Sequence, residues 1–558
     1  MLDQILKRFV RNIQFKYWLL LIIFIAFLLR VNRIDIGFPG LFLSNDEAIY
    51  HQSALNMLAN KTPFTLGNYG PLGAYVQLPF ILLAFLTMLL THTIQSVKDM
   101  ELLLLTQEGY LLFIPRVISV LFGCLDVIVI YKISKELFND TKAAMWSAFF
   151  AAVSFNLVHV SHLARAWSPA VFFSLLALLF CIKSVKKGKS NLIIFSFVSA
   201  ALSFGFHQLS GLVVLLVMLI FILHLKTVKL RFIGIGFIIW LFLIILFNYL
   251  SLQGNFWTVL TIGDSTSTGL TLIPNEPLNL NEWLEFFGKR VNIGKVIIDL
   301  LLTDGVLVLL ALLFSFTKKF HLKINMAIWM YIAFNFLLIS FIFPPFVRYF
   351  LVGFSFLPIF AGYVFSQLLK KNPSTLLVLA ILFITSFNSI YWNIIISKKT
   401  TFELLEAWVN QKVSPQEMIV ISQRRNFGFV PSKKSAEVVR KFVPGFYQRS
   451  SNILGDSYPS NVRDVIYIEA IDRNHQVENI EYMINTQSVK YVVTSYMYLD
   501  GRLPLEKDPK LKLVNHFSPT GNVINKSKIP EALFDAPYFM PLFRLERAGP
   551  YIDVFKVS

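Results

Sequence analysis

Residues 168–190 read SPAVFFSLLALLFCIKSVKKGKS, an apolar run that ends in a cluster of lysines. A transmembrane helix needs about 20 predominantly apolar residues, and cytoplasmic loops carry an excess of Lys and Arg. The stretch therefore predicts a helix that crosses a membrane and ends on the cytoplasmic side. Similar runs recur as far as residue 396, which is typical of a multi-pass membrane protein.

The composition agrees with this interpretation. Of the 558 residues, 55% are hydrophobic and 15% are charged, and the mean hydropathy is +0.61. Soluble domains carry about 25% charged residues, so a soluble enzyme and a disordered chain are both excluded. The net charge of +18 lies mostly in short clusters between apolar runs, which the positive-inside rule explains without nucleic acid as a partner. Cys124 and Cys181 lie inside apolar runs, which excludes a cysteine-ligated zinc site or a disulfide framework.

Eleven apolar stretches predict transmembrane helices. The first run ends at Arg30 and Arg33 rather than at a cleavage site of small residues, which indicates a retained signal anchor. The eleven stretches are residues 17–29, 112–131, 143–160, 168–183, 191–206, 210–225, 232–250, 296–317, 324–343, 350–369 and 374–396.

A further apolar run, residues 74–92, is interpreted from the charges of the loops. Basic clusters fall in every second loop, and we expect all of these loops to be cytoplasmic. The basic N-terminus lies on the same side only if residues 74–92 do not cross the membrane. We therefore interpret this run as an amphipathic or re-entrant element of the first outer loop, and we place the N-terminus in the cytoplasm.

The composition changes after residue 396. Charges become frequent, and the apolar runs shrink to strand length at residues 418–422, 465–469, 489–495 and 551–557, with helix-like stretches at 401–411 and 477–487. Alternation of helices with short buried strands predicts a small α/β domain. The sequence thus predicts a transmembrane domain, residues 1–396, and an extracytoplasmic α/β domain, residues 397–558.

The first outer loop contains two adjacent acids, Asp46 and Glu47, followed by Tyr50 and His51. One interpretation is structural, because acids in the first turn of a helix suit the helix dipole. The other is functional, because a carboxylate at the membrane surface can accept a proton from a hydroxyl group.

Cations lie at the outer ends of several spans. Arg116, Arg165 and Arg348 are either interfacial anchors that snorkel or ligands of a phosphate, which the guanidinium fork suits. His207, in a very short outer turn, is either a structural residue or a ligand. Another outer loop carries three cations that suit an anionic lipid head group: Lys289, Arg290 and Lys295.

Other polar residues give weaker indications. His159 and His162 have a spacing that suits one helix face, but without a third ligand they make a poor zinc site. Asp126, Asp299 and Asp304 are intramembrane acids, which are either functional or face a polar cavity. The sequence contains no Walker P-loop or glycine-rich phosphate-binding turn. Acids, cations and apolar spans together indicate a lipid-borne substrate.

The motifs resemble a known clan. Arg30, followed by Asp46-Glu47-Ala48-Ile49-Tyr50, is similar to the "R…DExxY" opening of GT-C glycosyltransferases, in particular the protein O-mannosyltransferase and lipid A aminoarabinose transferase clan. The resemblance extends in order over about residues 1–400, and the segment after residue 396 is similar to the outer domains of many bacterial members. Its other motifs are Tyr69–Tyr75 ("PPLyy"), Arg116–Ser119 with Tyr131–Phe138 ("RLPS…Y…lfg"), Ala164–Pro169 ("ARxxxD") and Arg348-Tyr349 with Pro358 ("RYLLPxxP").

The resemblance implies roles for individual residues. Asp46 is expected to be the catalytic base or to orient the acceptor, and basic residues are expected to hold the phosphate of a polyprenyl-phosphate sugar. Because Arg and His can stabilise a monophosphate leaving group, we predict no metal and no cofactor. The implied substrate-binding residues are Glu47, Tyr50, Arg116, Arg165, His207, Arg348 and Tyr349.

Three positions depart from the pattern of the clan. Tyr69-Gly70 replaces a frequent Lys or His, Ser168 replaces an acid, and His207 or Gln208 replaces a Lys. These departures leave open the sugar, the phosphate contacts and whether the protein is active.

The sequence therefore predicts an inverting glycosyltransferase of the cell membrane. It would transfer a hexose or pentose from a polyprenyl-phosphate donor to a protein, lipid or glycan acceptor on the outer face. One alternative is a lipid or polysaccharide transporter, which the absence of an inverted repeat in the sequence disfavours. The other alternative is a non-catalytic scaffold on the same fold.

Overall fold

The structure is a computed structural model in which the described residues form two compact units. The first unit contains Met1–Asn32, Ile49–Leu78 and Pro115–Ile390, and the second contains Arg33–Ala48, Pro79–Ile114 and Tyr391–Ser558. The predicted domain boundary between residues 396 and 397 stays a prediction. The structure describes residues 2–36, 45–60, 70–106, 111–252, 293–342, 347–422, 428–444, 454, 459, 462–471, 475–496, 503–520 and 545–558.

Apolar helices make up most of the described chain up to residue 396. Within a bilayer a helix satisfies its own backbone hydrogen bonds, which explains why each predicted span is helical. The helices are Leu2–Val31, Asn45–Asn60, Leu72–Tyr75, Leu78–Leu90, Val97–Thr106, Phe113–Phe138, Thr141–Val153, Phe155–Ser161, Trp167–Lys187, Asn191–Phe206, Val213–Leu223, Leu230–Leu252, Ile293–Leu313, Lys323–Ile342, Leu351–Phe354, Leu357–Leu369 and Thr375–Ile396.

The number of candidate spans differs from the eleven that the sequence predicts. In the described part of the chain, seven helical stretches are long and apolar enough to cross a membrane, or nine if each of two bent pairs counts as one span. Asn191–Phe206 and Gln208–Leu223 are apolar but too short to qualify, because the chain turns at His207. The bent pairs are Thr141–Val153 with Phe155–Ser161, at 54°, and Val347–Phe354 with Leu357–Leu369, at 55°.

The stretch Leu72–Leu90 is one of the seven candidate spans. It contains 19 residues with a mean hydropathy of 2.0 and no charged side chain, and it qualifies as a candidate span by length and composition. The sequence interpretation, by contrast, took residues 74–92 as an element that does not cross. That interpretation rested only on loop charges, which say nothing about the segment itself. The cytoplasmic location of the N-terminus therefore stays a prediction.

Small residues allow close packing between helices of the first unit. In Thr141–Val153, residues such as Ala144, Ser147 and Ala148 are buried. A Cβ atom on Gly362 would lie 2.2 Å from the backbone nitrogen of Ser147. The Ser147 hydroxyl donates hydrogen bonds to the Ile359 carbonyl at 3.1 Å and to the Ser134 hydroxyl at 2.9 Å. Close approach and interhelical hydrogen bonds are the usual means of association in a membrane, where lipid is as apolar as leucine.

The second unit contains a five-stranded sheet and confirms the predicted α/β region. The sheet order is β4-β1-β5-β7-β6, with β1 parallel to β4 and β5, and β7 antiparallel to β5 and β6. The short strands β2 and β3 form a separate parallel pair. In chain order the strands are β1 (Met418–Ile421), β2 (Val430–Pro431), β3 (Val462–Arg463), β4 (Val465–Tyr467), β5 (Val489–Tyr496), β6 (Leu511–Phe517) and β7 (Tyr551–Val557).

Both faces of this sheet are covered by helices. Thr401–Lys412 packs on one face through Leu405 and Val409, and its N-terminus is closed by a capping box between Thr400 and Glu403. Val439, from Lys433–Arg440, and Ile480, from Gln476–Thr486, pack on the other face. All residues of β1 are buried, which explains its continuous apolar sequence.

The close contact at Gly362 predicts a stability effect. Replacing Gly362 by Ala should lower the free energy of unfolding by about 1–3 kcal/mol, because overpacking forces the two helices apart. Gly234→Ala is the matched control, since nothing lies within 4 Å of a Cβ atom at this helical position. Thermal unfolding in detergent measures both variants. Equal stability of the Gly362 variant and the wild type would contradict the packing.

Candidate active site

A pocket in the first unit brings together two residues of the predicted site. Tyr50 and Arg165 both line it, together with Gln77 and a largely apolar wall. Tyr50 is 2% exposed, and its hydroxyl donates a hydrogen bond to the Phe206 carbonyl at 3.2 Å. The Tyr50 ring fits because residue 73 is glycine: a Cβ atom there would lie 2.4 Å from the ring.

Arg165 lies in a turn, and both its backbone N–H and its backbone carbonyl are hydrogen-bonded. The turn joins the helix Phe155–Ser161 to the helix Trp167–Lys187. The Arg165 N–H donates to the Leu163 carbonyl at 2.7 Å, and its carbonyl accepts a hydrogen bond from the Ser119 hydroxyl at 3.0 Å. Arg165 itself is only 4% exposed, so a buried cation lies at a defined position beside the pocket.

The side chain of Gln77 is oriented by a buried histidine. The Nδ1 atom of His51 lies 3.3 Å from Oε1 of Gln77, and Nε2 of Gln77 donates to the Gly73 carbonyl at 2.7 Å. Because the amide oxygen only accepts, the Nδ1 of His51 carries the proton in this contact. Burial lowers the pKa of His51 to about 4, against a smaller raising effect of the Gln77 bond, so the imidazole is neutral near pH 7.

His207 lies in an aromatic stack next to Arg348 and Tyr349. Its ring stacks on Trp167 with a centroid separation of 3.7 Å, and Trp167 meets Tyr349 edge-on at 5.9 Å. The Arg348 guanidinium lies 5.1 Å from the centroid of the Tyr349 ring. The short turn after Asn191–Phe206 thus places the His207 imidazole near Arg348 and Tyr349.

Three basic side chains converge at this stack. Burial, and to a smaller extent the nearby charges of Arg348 and Arg165, lower the pKa of His207 to about 3. His207 is therefore a neutral hydrogen-bonding group near pH 7, and the positive charge comes from the two arginines. Arg348 and Arg165, which the sequence singled out separately, thus both lie within electrostatic range of His207.

Arg116 lies close to a different histidine. It is fully buried in the helix Phe113–Phe138. The pKa of His162 is lowered to about 3, mainly by burial and less by the charges of His159, Arg30 and Arg116. The bond of its Nδ1 to the Val158 carbonyl acts in the opposite direction. Among the described residues, Nε2 of His162 has no hydrogen-bond partner.

The two acids that the sequence singled out fall in the other unit. Asp46 and Glu47 lie in the first turn of the helix Asn45–Asn60 and fall within Arg33–Ala48 of the second unit. Glu47 is fully buried, whereas the Asp46 side chain lies outside the described residues. The roles of both acids therefore stay predictions. The cations Lys289 and Arg290, and the side chain of Lys295, also lie outside the described part of the chain.

No group of three or more His, Cys, Asp or Glu side chains among the described residues is arranged to hold a metal ion. Of the pair His159 and His162, His159 stacks on the ring of Phe155 with a centroid distance of 5.6 Å.

The sequence did not single out Gln77 or a role for Trp167. Gln77 is the one polar side chain between Ala74 and Leu86 apart from Tyr75, and a lone amide in so apolar a stretch is a usable signal. Trp167 follows Arg165 closely in the chain, but its stacking on a residue 40 positions away depends on the tertiary fold.

Comparisons with known proteins agree with the clan resemblance. The family model of dolichyl-phosphate-mannose-protein mannosyltransferases matches residues 102–249, which is part of the chain. No curated protein matches the sequence.

Solved structures give a similar result. ArnT from Cupriavidus metallidurans in the apo state has a TM-score of 0.50 at 11% identity, over 98% of each chain. The same protein bound to undecaprenyl phosphate gives 0.47 at 12% identity, over 97% of each chain. The archaeal oligosaccharyltransferase AglB from Archaeoglobus fulgidus, in complex with an inhibitory peptide and a dolichol-phosphate, gives 0.41 at 12% identity, over 96% of this chain and 75% of that one.

The likeness to apo ArnT, at such low identity, shows the fold. The chain is a multi-pass membrane protein with a GT-C fold and a C-terminal α/β region, and it resembles membrane glycosyltransferases of the GT-C kind. The predicted fold class is confirmed, and the partial family match agrees with the resemblance to the clan.

The buried His207 predicts a pH-dependent stability. Its pKa in the folded protein, about 3, lies below the usual 6.5, so the unfolded chain binds a proton first as the pH falls. The stability contribution is complete above pH 6.5 and is lost as the pH falls toward 3. Between pH 7 and pH 4.5 the free energy of unfolding should fall by about 1–3 kcal/mol less in His207→Gln than in the wild type.

Thermal unfolding in detergent at these two pH values measures this effect. His224→Gln is the control, because His224 is half-buried at the end of the helix Val213–Leu223. If the pH dependence is the same in the His207 variant and the wild type, His207 has the same pKa in the folded and the unfolded protein, which would contradict the lowered pKa.

Proposed function

We propose that the protein transfers a sugar from a polyprenyl-phosphate donor to an acceptor on the outer face of the cell membrane. The observation that carries this proposal is that Arg165, which lines a pocket of the first unit, and Arg348 both act electrostatically on the buried His207. A monophosphate needs cations and hydrogen-bond donors at its oxygens, and arginine suits this role through its planar fork. The GT-C fold and the partial match to a mannosyltransferase family model favour the same chemistry.

The reaction has two chemical requirements. The attacking hydroxyl of the acceptor has to lose a proton, and the phosphate has to leave the anomeric carbon with its growing charge stabilised. We assign the first task to Asp46, with Glu47 positioning the acceptor. The second task falls to Arg348, Arg165 and His207. A single displacement inverts the anomeric configuration, so we expect an inverting hexosyl or pentosyl transferase.

We assign supporting roles to the remaining predicted residues and to Gln77. Tyr50 and the neutral Gln77 amide suit the hydroxyl groups of a sugar, and Tyr349 orients Arg348 through its ring. Arg116 supplies a further buried positive charge. We expect a protein, lipid or glycan acceptor, a cytoplasmic N-terminus and an extracytoplasmic C-terminal domain, with membrane lipids around the spans.

Asp46→Asn tests the base. Transfer from a panel of polyprenyl-phosphate sugars should fall at least about a hundredfold, because an amide cannot accept the proton. Purified protein, the donor panel and a crude membrane extract as acceptor source make up the assay. Asp35→Asn is the control, since Asp35 is an exposed acid of the same unit that pairs with Arg33 at 3.4 Å. Transfer that survives in the Asp46 variant would move the base to another acid.

Arg348→Ala tests the phosphate site. The KM for the donor should rise about tenfold or more, because a charge-assisted bond to the phosphate is lost. Arg348→Lys should recover only part of the affinity, since a lysine cannot make the bidentate contact. Arg231→Ala, at the start of the helix Leu230–Leu252, provides an arginine control. A donor KM that does not change in the Arg348 variant would exclude this residue from the phosphate site.

A further inference from the structure

One helix of the first unit is broken where its sequence gives no local reason for a break. Thr141–Val153 and Phe155–Ser161 are separated at Ser154 and bent by 54°. The residues around the break, AAVSFNL at 151–157, include neither proline nor glycine. Sharp kinks usually occur at proline or glycine, or where a side chain inserts into the hydrogen-bond ladder. Here the cause lies in side chains from other helices.

Arg30 and Ser389 satisfy the carbonyl groups on one side of the break. The Arg30 guanidinium donates to the Ala152 carbonyl at 2.9 Å and to the Ala151 carbonyl at 3.1 Å. The Ser389 hydroxyl donates to the Val153 carbonyl at 2.7 Å. A positive charge at the C-terminal end of a helix also complements the helix dipole.

Asp304 satisfies the amide groups on the other side. Its two carboxylate oxygens accept hydrogen bonds from the backbone N–H of Phe155 at 2.9 Å and of Asn156 at 3.0 Å. The Ser154 hydroxyl adds a bond at 3.1 Å, and the Asn156 side-chain amide adds one at 2.7 Å. One buried carboxylate thus accepts hydrogen bonds from the first two backbone N–H groups of the half-helix Phe155–Ser161.

Asp304 itself lies at a second irregularity. Its backbone, with φ −133° and ψ 33°, departs from helical geometry inside Ile293–Leu313. The Asn388 side chain donates to the carbonyls of Leu302, at 3.1 Å, and Thr303, at 2.7 Å. Two helices are therefore interrupted at the same place, and their freed backbone groups bond to side chains of the bundle.

The half-helix leads directly into the turn that carries Arg165. We propose that Asp304 is a positioning residue, which fixes the half-helix Phe155–Ser161 and thereby places Arg165 at the pocket. An unbroken helix would satisfy the same backbone groups without burying the charges of Arg30 and Asp304, which are 0% and 2% exposed. Ionisable side chains buried within membrane-spanning helices are typically functional. The role in catalysis rests on the proposed function.

Asp304→Asn is the principal test, because it keeps the side-chain volume but turns one acceptor into a donor that faces N–H groups. The donor KM should rise about ten- to a hundredfold, since misplacement by about 1 Å has effects of this size. The kcat should change less than the KM. A purely structural role would instead reduce the folded fraction, which lowers the maximal rate and leaves the KM unchanged.

Two further variants serve as a weaker test and as a control. Ser154→Ala removes one of the weaker contacts to Asp304 and should give a smaller rise in KM in a well-folded protein. Thr385→Ala is the matched control, because the buried Thr385 hydroxyl donates to the Ile381 carbonyl of its own helix and not to the backbone at the break. The control should show the wild-type KM. A wild-type KM in the folded Asp304 and Ser154 variants would overturn the proposal.

A second measurement does not depend on transfer. Amide hydrogen exchange of peptides covering residues 154–166 should accelerate in Asp304→Asn and not in Thr385→Ala. Binding of undecaprenyl phosphate in detergent should weaken in parallel. If the wild type transfers no sugar but these two changes occur, the proposed function fails while the positioning role stands. Unchanged exchange in a folded Asp304→Asn variant would refute the positioning role itself.

Discussion

A chain inside a bilayer has no water for its backbone, so every interrupted hydrogen bond needs a partner within the protein. Around Ser154 this constraint determines the arrangement of four helices of the first unit. Arg30 supplies donors for free carbonyls, and Asp304 supplies acceptors for free amides. Each charge lies at the helix end that it complements electrostatically. The break then sends the chain into the turn of Arg165, so the candidate site depends on an interaction remote from it.

The sequence predicts the elements well where a single physical cause decides them. Long uncharged runs are helical, and the buried parallel strand β1 appears as a continuous apolar stretch. Strand β6 is not predicted, because it is an edge strand whose central residues are exposed and whose apolar pattern is weak. For Leu72–Leu90 the loop charges and the hydropathy of the segment give opposite predictions, so whether it crosses the membrane stays a prediction.

The site is predictable only in its parts. Charge and position identify Arg165, His207 and Arg348 separately, since a cation at the end of an apolar span is conspicuous. Their convergence needs the tertiary fold, as does the stacking of Trp167 on His207. The position of Asp304 is equally hidden, because its four hydrogen bonds reach residues about 150 positions earlier in the chain.

The convergence of cations also explains why a phosphate leaving group suits this arrangement. The charges of Arg348 and Arg165 repel a further positive charge on His207 and, after burial itself, lower its pKa. An anion relieves the repulsion, and it does so more strongly as its charge grows. In the proposed transfer the phosphate gains negative charge while the glycosidic bond breaks. Under this proposal Arg165 and Arg348 would stabilise the transition state more than the bound donor, which is the condition for catalysis rather than binding alone.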